Sequence, residues 1–227
     1  MKRAALTVFL VFGIILSAIA PTNATAGNVF AKNSSATGKI ALTFDDGPHP
    51  IYTPKILEIL EEYEIDATFF VIGRNVENYP DAFRAILGSG CEIGNHTYTH
   101  GNIGGMSESE ICRELELTEQ AIAKIAPLRP TIFRPPEGAC GSAIERASRE
   151  RGYDIVLWSI DTLDWAHTPS DIIARKLLGN IGDGDIILMH DYVSRGNTTL
   201  GALRIIIPEL LARGYEFVTV SELLGDE

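Results

Sequence analysis

Two carboxylates stand side by side at Asp45 and Asp46, directly after the apolar run from Ile40 to Phe44 and directly before Gly47 and Pro48. Neighbouring strand side chains point to opposite faces, but a turn begun by Gly-Pro lets both carboxylates approach one place. One can then hold a metal ion while the other stays free as a base. Taken alone, such a DDG sequence has the ordinary chemistry of a solvated turn. A second group follows in GNHTYTH, where His96 and His100 stand four apart and can present two imidazole nitrogens to one ion. Alone, that pair reads equally well as a surface turn. Together with Asp46 it becomes two neutral nitrogens and one carboxylate oxygen. That donor set suits Zn2+, or Co2+, Ni2+ or Mn2+, with positions left open for water and substrate.

Three more polar clusters, FRPPEG, WSIDTLDW and ILMHD, also follow apolar runs. Each has a plain alternative: Arg134 as a surface ion-pair partner, Asp161 and Asp164 as turn or cap residues, His190 as a satisfied histidine at a strand end. Side by side at one end of a sheet, the clusters are harder to explain separately. Asp45, Asp46, His96, His100, Arg134, Asp164 and His190 supply a base, a metal site, a cation and an acid, which is the inventory of metal-assisted hydrolysis.

The elements that must position them alternate along the chain. Strands are expected at Ile40 to Phe44, Thr68 to Ile72, Cys91 to Gly94, Thr131 to Phe133, Ile155 to Ile160, Ile186 to Met189 and Phe217 to Val220. Between them lie helical stripes: Ile56, Leu57, Ile59 and Leu60; Phe83, Ile86 and Leu87 after Pro80; a long helix opened by the Ser107/Glu110 capping box; Ser142 to Arg151; Ser170 to Leu178; and Leu203 to Leu211. About seven such units without repeats or an interior linker predict an α/β fold, a closed or nearly closed (β/α) barrel of parallel strands. The polar clusters fall where a barrel collects its functional residues, at the C-terminal strand ends.

Composition sets limits on partners. The chain of 227 residues is 45% hydrophobic and carries a net charge of −11. No basic run tracks a phosphate backbone, so nucleic acid is not expected as a partner, and an acidic surface favours a polymer that is neutral where it is touched. Cys91, Cys112 and Cys140 show no CxxC spacing; at most one disulfide can form, and buried, reduced thiols are the expectation. Lys2 and Arg3 precede an apolar stretch from Ala4 to Ala20 and small residues to Gly27, the order of an export signal. The expectation is therefore a signal peptide over residues 1–26, cleaved after Ala26, a flexible leader over 27–38 and a catalytic domain over 39–227, secreted or in the cell envelope, monomeric and off the membrane after cleavage. An uncleaved anchor is the competing reading.

From Lys39 to about Leu224 the sequence resembles the polysaccharide deacetylases of the NodB-homology type, carbohydrate esterase family 4, on TFDDGP, HTYTH, RPP, DTLDW and ILMHD in that order. The resemblance implies a distorted (β/α) barrel that removes acetyl groups from acetylated sugars. It makes Asp45 the base, Asp46, His96 and His100 the metal ligands, Arg134 the group holding Asp45, His190 the acid and Asp164 its orienting partner. It further implies that Trp165 and Leu188 shape the acetyl pocket and that the backbone N–H of Glu137 stabilises the oxyanion. In the family's commonest pattern RPP is followed by Tyr; Glu137 departs from it and is expected to point outward or touch substrate. The implied activity is N-deacetylation of N-acetylglucosamine-type residues in peptidoglycan or a chitin-like polymer. An acetylxylan esterase and a non-catalytic carbohydrate-binding barrel are the alternatives.

Overall fold

The computed structural model describes residues 27–193 and 198–225. The expected export signal and its cleavage point lie outside them. The strands are β1 (Val29–Phe30), β2 (Lys39–Asp45), β3 (Thr68–Val71), β4 (Glu92–Asn95), β5 (Ile132–Phe133), β6 (Asp154–Val156), β7 (Ile160–Asp161), β8 (Ile186–His190) and β9 (Glu216–Val218). They form one curled sheet in the order β1-β6-β5-β4-β3-β2-β8-β7, with every ladder parallel. β9 pairs with the first residues of β2, and β3 pairs with its last. The helices are α1 (Tyr52–Glu62), α2 (Gly73–Asn78), α3 (Pro80–Ser89), α4 (Glu108–Ala123), α5 (Ser142–Arg151), α6 (Ser170–Asn180), α7 (Thr199–Ala212) and α8 (Val220–Leu224). This is the expected distorted (β/α) barrel, with two short strands more than the sequence signalled.

The curl gives the sheet two buried faces, which is why its central strands read as nearly unbroken apolar runs. Ile40, Leu42 and Phe44 of β2 face the helices, together with Phe69, Val71, Ile187 and Met189 and the stripes of α1, α3, α6 and α7. Ala41, Phe70, Ile132, Val156, Ile186 and Val218 fill the inside of the curl. The period of two then carries the inner face of β2 from Ala41 to Thr43 to Asp45, so the barrel interior turns from apolar to polar as it approaches the mouth. Thr43 is satisfied there by donating to the Ile187 carbonyl at 2.7 Å.

Helix boundaries follow local chemistry. α3 opens on Pro80 and stops at Gly90, whose φ of 83° few other residues tolerate. α4 carries both capping-box bonds, from Ser107 and Glu110. α8 repeats that device with Thr219 and Glu222, which ends the last strand at Val218 and not at Val220 as expected.

Two expectations are corrected. The segment expected as one strand from Ile155 to Ile160 is two, β6 and β7, because the Arg134 guanidinium takes the Val156 and Leu157 carbonyls that a continuous ladder would use. The leader over 27–38 is not a free tether. Val29–Phe30 pairs with β6, Asn33 N–H donates to the Gly184 carbonyl at 3.0 Å, and Lys32 reaches Asp185 at 2.6 Å. A side chain at position 184 would meet the Asn33 carbonyl oxygen at 1.7 Å, so only glycine lets the leader cross the foot of β8. The leader thus spans the seam of the curled sheet at its base, a role that its short pairing and polar composition do not advertise. All three cysteines are free as expected, but only Cys91 is buried; Cys112 is half-buried and Cys140 exposed.

Candidate active site

β2 and β8 lie side by side with Asp45 opposite His190, so the two residues leave the sheet together at its mouth. Asp45 is buried, and its Oδ1 accepts from Arg134 Nη1 at 2.7 Å. Arg134 arrives from the end of β5 and is 0% exposed. A guanidinium in that position requires pairing. Four of its five N–H groups are paired: Nη1 also donates to Thr43 Oγ1 at 2.7 Å, Nε to the Val156 carbonyl at 3.1 Å and Nη2 to the Leu157 carbonyl at 3.0 Å, while the Phe70 ring lies 4.1 Å beneath.

Asp46, next along, sits at a φ of 76°, the left-handed region that turns its side chain toward the histidines. Its carbonyl is held by Asn75 Nδ2 at 2.8 Å. His96 leaves β4, and its Nδ1 lies 2.7 Å from the Arg134 carbonyl, so that nitrogen carries the proton and Nε2 faces the site with a free lone pair. The turn to His100 is anchored by Glu114, whose Oε2 accepts from Tyr98 N, Thr99 N and Thr99 Oγ1 at 2.8–3.1 Å. Asp46 Oδ1 then stands 3.2 Å from His100 Nε2 and 3.6 Å from His96 Nε2. It is buried and makes no hydrogen bond.

A buried, unsatisfied carboxylate oxygen facing two imidazole lone pairs is costly as it stands and is resolved by a cation. The three donor atoms lie within 4.8 Å of one another, and their chemistry fits a divalent ion. Burial pushes the Asp46 carboxyl up, but the histidines outweigh it and its pKa falls below the usual value. Burial lowers that of His100.

On the other side of Asp45, His190 Nδ1 lies 2.7 Å from Asp164 Oδ1. Asp164 is fully buried and saturated: Trp165 N donates to Oδ1, and His190 N and Thr199 Oγ1 donate to Oδ2, all at 2.7–2.9 Å. Burial disfavours the His190 imidazolium, but Asp164, with Asp45 and Asp46 behind it, outweighs that and raises its pKa to about 9. The fixed Nδ1 bond leaves Nε2 to the cleft.

The cleft itself measures about 380 Å³. Of the residues expected at the site, Asp45, Asp46, His96, His100, Glu137, Trp165, Leu188 and His190 line it. Arg134 and Asp164 stand behind Asp45 and His190 as their partners. Glu137 is exposed at a φ of 57° on the rim, and Trp165 is 53% exposed opposite the buried Leu188. Trp158 and Asp161 complete the lining. Trp158 opens the WSIDTLDW cluster, where sequence alone assigned it no role. Thr43, Asn75, Glu114 and Thr199 were likewise missed, because their partners are distant in sequence. A larger hollow, about 540 Å³ between α1 and α3, is lined by apolar and acidic residues and lies apart from this chemistry.

Residues 32–156 match the family model described as polysaccharide deacetylase. A peptidoglycan-N-acetylglucosamine deacetylase of Bacillus cereus is 41% identical over 187 residues, which is 82% of this chain and 87% of that one. A chitooligosaccharide deacetylase of a Bradyrhizobium species is 35% identical, over 83% of this chain and 92% of its own. Among solved structures, a peptidoglycan N-acetylglucosamine deacetylase superposes with a TM-score of 0.81 at 36% identity, covering 87% of this chain and 92% of that one.

Proposed function

The chain belongs to the polysaccharide deacetylase family, and from that premise we propose that it hydrolyses N-acetyl groups on N-acetylglucosamine-type residues of peptidoglycan or a chitin-like polymer, releasing acetate. The observation that carries this reading is the two carboxylate–cation pairs, Asp45 with Arg134 and Asp164 with His190, that meet at the cleft beside the Asp46–His96–His100 trio. Asp46, His96 and His100 would hold a divalent ion, Zn2+ first among the candidates, and that ion would supply Lewis acidity to a water and to the acetyl carbonyl.

Asp45 acts as the base. Arg134 fixes one of its oxygens, and the other, 3.7 Å from His96 Nε2, is turned to the trio and receives the proton of the attacking water. As charge gathers on the carbonyl oxygen, the backbone N–H of Glu137 donates to it. His190 then gives its Nε2 proton to the departing nitrogen, so a neutral amine leaves; the Asp164 carboxylate at its Nδ1 favours the protonated ring that can do so. Leu188 and Trp165 enclose the acetyl methyl. Export to the cell envelope and action as a monomer belong to the same reading. No helix among the described residues is long and apolar enough to cross a membrane.

Acetate release measured side by side on chitooligosaccharides, peptidoglycan and acetylxylan, with metal content determined on the same sample, tests the reading. Release from the two N-acetylated substrates supports it, and release from acetylxylan alone overturns it. Asp45→Asn is expected to bind metal as the wild type does while turnover falls by about 10²–10⁴. Full activity in that variant removes Asp45 from the role of base.

A further inference from the structure

Four rings gather at the barrel mouth outside the cleft. His49 lies three residues past Asp46 and Tyr192 two past His190, and because β2 and β8 are paired in register both emerge at the same rim. The His49 ring stacks on Tyr52, with centroids 4.9 Å apart and planes 25° apart, and on Tyr192, at 4.8 Å and 13°. Tyr79 approaches the same ring at 6.3 Å. His49 is fixed in its plane. Its Nδ1 accepts from the backbone N–H groups of Ile51 and Tyr52 at 3.2 Å each, and the His49 backbone N–H donates to Thr53 Oγ1 at 2.7 Å. A ring nitrogen that accepts is unprotonated, so the stack is uncharged.

Such a row of rings would ordinarily be covered. Here Tyr192 is 44% and Tyr79 36% exposed. Exposed aromatic area contiguous with a catalytic mouth marks a recognition surface. Flat apolar faces with hydroxyl tips suit the C–H faces and hydroxyls of pyranose rings. Rings already locked lose little freedom when a ligand arrives. Nothing in the stack carries charge, which suits a neutral polymer meeting a protein of net charge −11.

Given the reading of the cleft as a deacetylase site, we propose that Tyr79 and Tyr192, with Tyr192 held in place by its stack on His49 and, through it, Tyr52, form a stacking surface for the sugar residues that flank the one being deacetylated, so that the protein selects polymers over short oligomers. The test is a length series of β-1,4-linked N-acetylglucosamine oligomers, from dimer to hexamer, on the metal-loaded protein. Wild type is expected to gain in kcat/KM with length, through KM. The double variant Tyr79→Ala/Tyr192→Ala is expected to lose about tenfold on the hexamer and to flatten the series, while Tyr79→Phe/Tyr192→Phe keeps it. Calorimetric binding of the hexamer to the same proteins reads the surface without turnover, so absence of acetate release counts against the deacetylase reading and not against the surface. Equal loss on dimer and hexamer, or a hexamer affinity that is the same in wild type and the alanine variant, overturns the proposal.

Discussion

The two flanks of the cleft each bury a carboxylate against a cation, yet the cations differ in kind. Asp45 faces the Arg134 guanidinium, which holds its protons at any pH a protein survives. Asp164 faces the His190 imidazolium, which can release one. In the proposed reaction the first flank supplies the proton acceptor and the second the proton donor. Base and acid in that reaction are told apart by what stands behind each group, a guanidinium behind Asp45 and a carboxylate behind His190.

The sharpest way to break the contrast is Arg134→Met. It strips a buried carboxylate of its partner and leaves the Thr43 hydroxyl and two carbonyls with a bond fewer. The expected outcome is a loss of about 3–5 kcal/mol of stability in denaturant unfolding, with activity falling alongside. A variant as stable as wild type would show that Asp45 is held by something else.

A milder change moves only the acid flank. In Asp164→Asn the His190 pKa should fall from about 9 toward the ordinary histidine value near 6.5. Titration of the ring by NMR in the metal-free protein reads this directly, and an unmoved pKa would refute Asp164 as its cause. The sign for stability follows. A pKa raised on folding stabilises the fold fully below about pH 6.5, and that contribution disappears as pH rises through about 9. The Asp164→Asn variant should lose this alkaline dependence.

The smallest effect is expected from Thr199→Val, which removes one donor from Asp164 and leaves three. About 1–3 kcal/mol of stability should be lost in thermal or denaturant unfolding, with metal content unchanged. A neutral result would mean that water replaces the hydroxyl.

The flanks also differ in how far they were legible in sequence. Asp45, His96 and His190 could be read because each follows an apolar strand, so chain order alone delivers them to one rim. Arg134 and Asp164 were legible as residues and, through the family resemblance, as partners of Asp45 and His190. Their burial and their full sets of partners were not, since those depend on Thr43, Thr199 and backbone carbonyls far away in the chain. The same distance effect explains the break between β6 and β7: Ile155 to Ile160 reads as one strand until an arginine from β5 claims its carbonyls. The short helix α2 escaped because six residues with one buried side chain, Val76, carry no stripe. Glu114 shows no local pattern, although it organises the turn between His96 and His100.

The leader at the foot of the barrel bears on reach. As a flexible chain, residues 27–38 would have let the domain wander by about 20 Å from whatever precedes it. Instead Gly27 N–H already donates to the Tyr153 carbonyl at 2.9 Å and Asn28 N–H to Asp154 at 2.9 Å, and the segment stays bonded as far as Lys39. Those twelve residues add nothing to the radius over which the enzyme can search. Unless slack is provided before Gly27, acetylated chains must come to the mouth by their own motion or by diffusion of the whole protein.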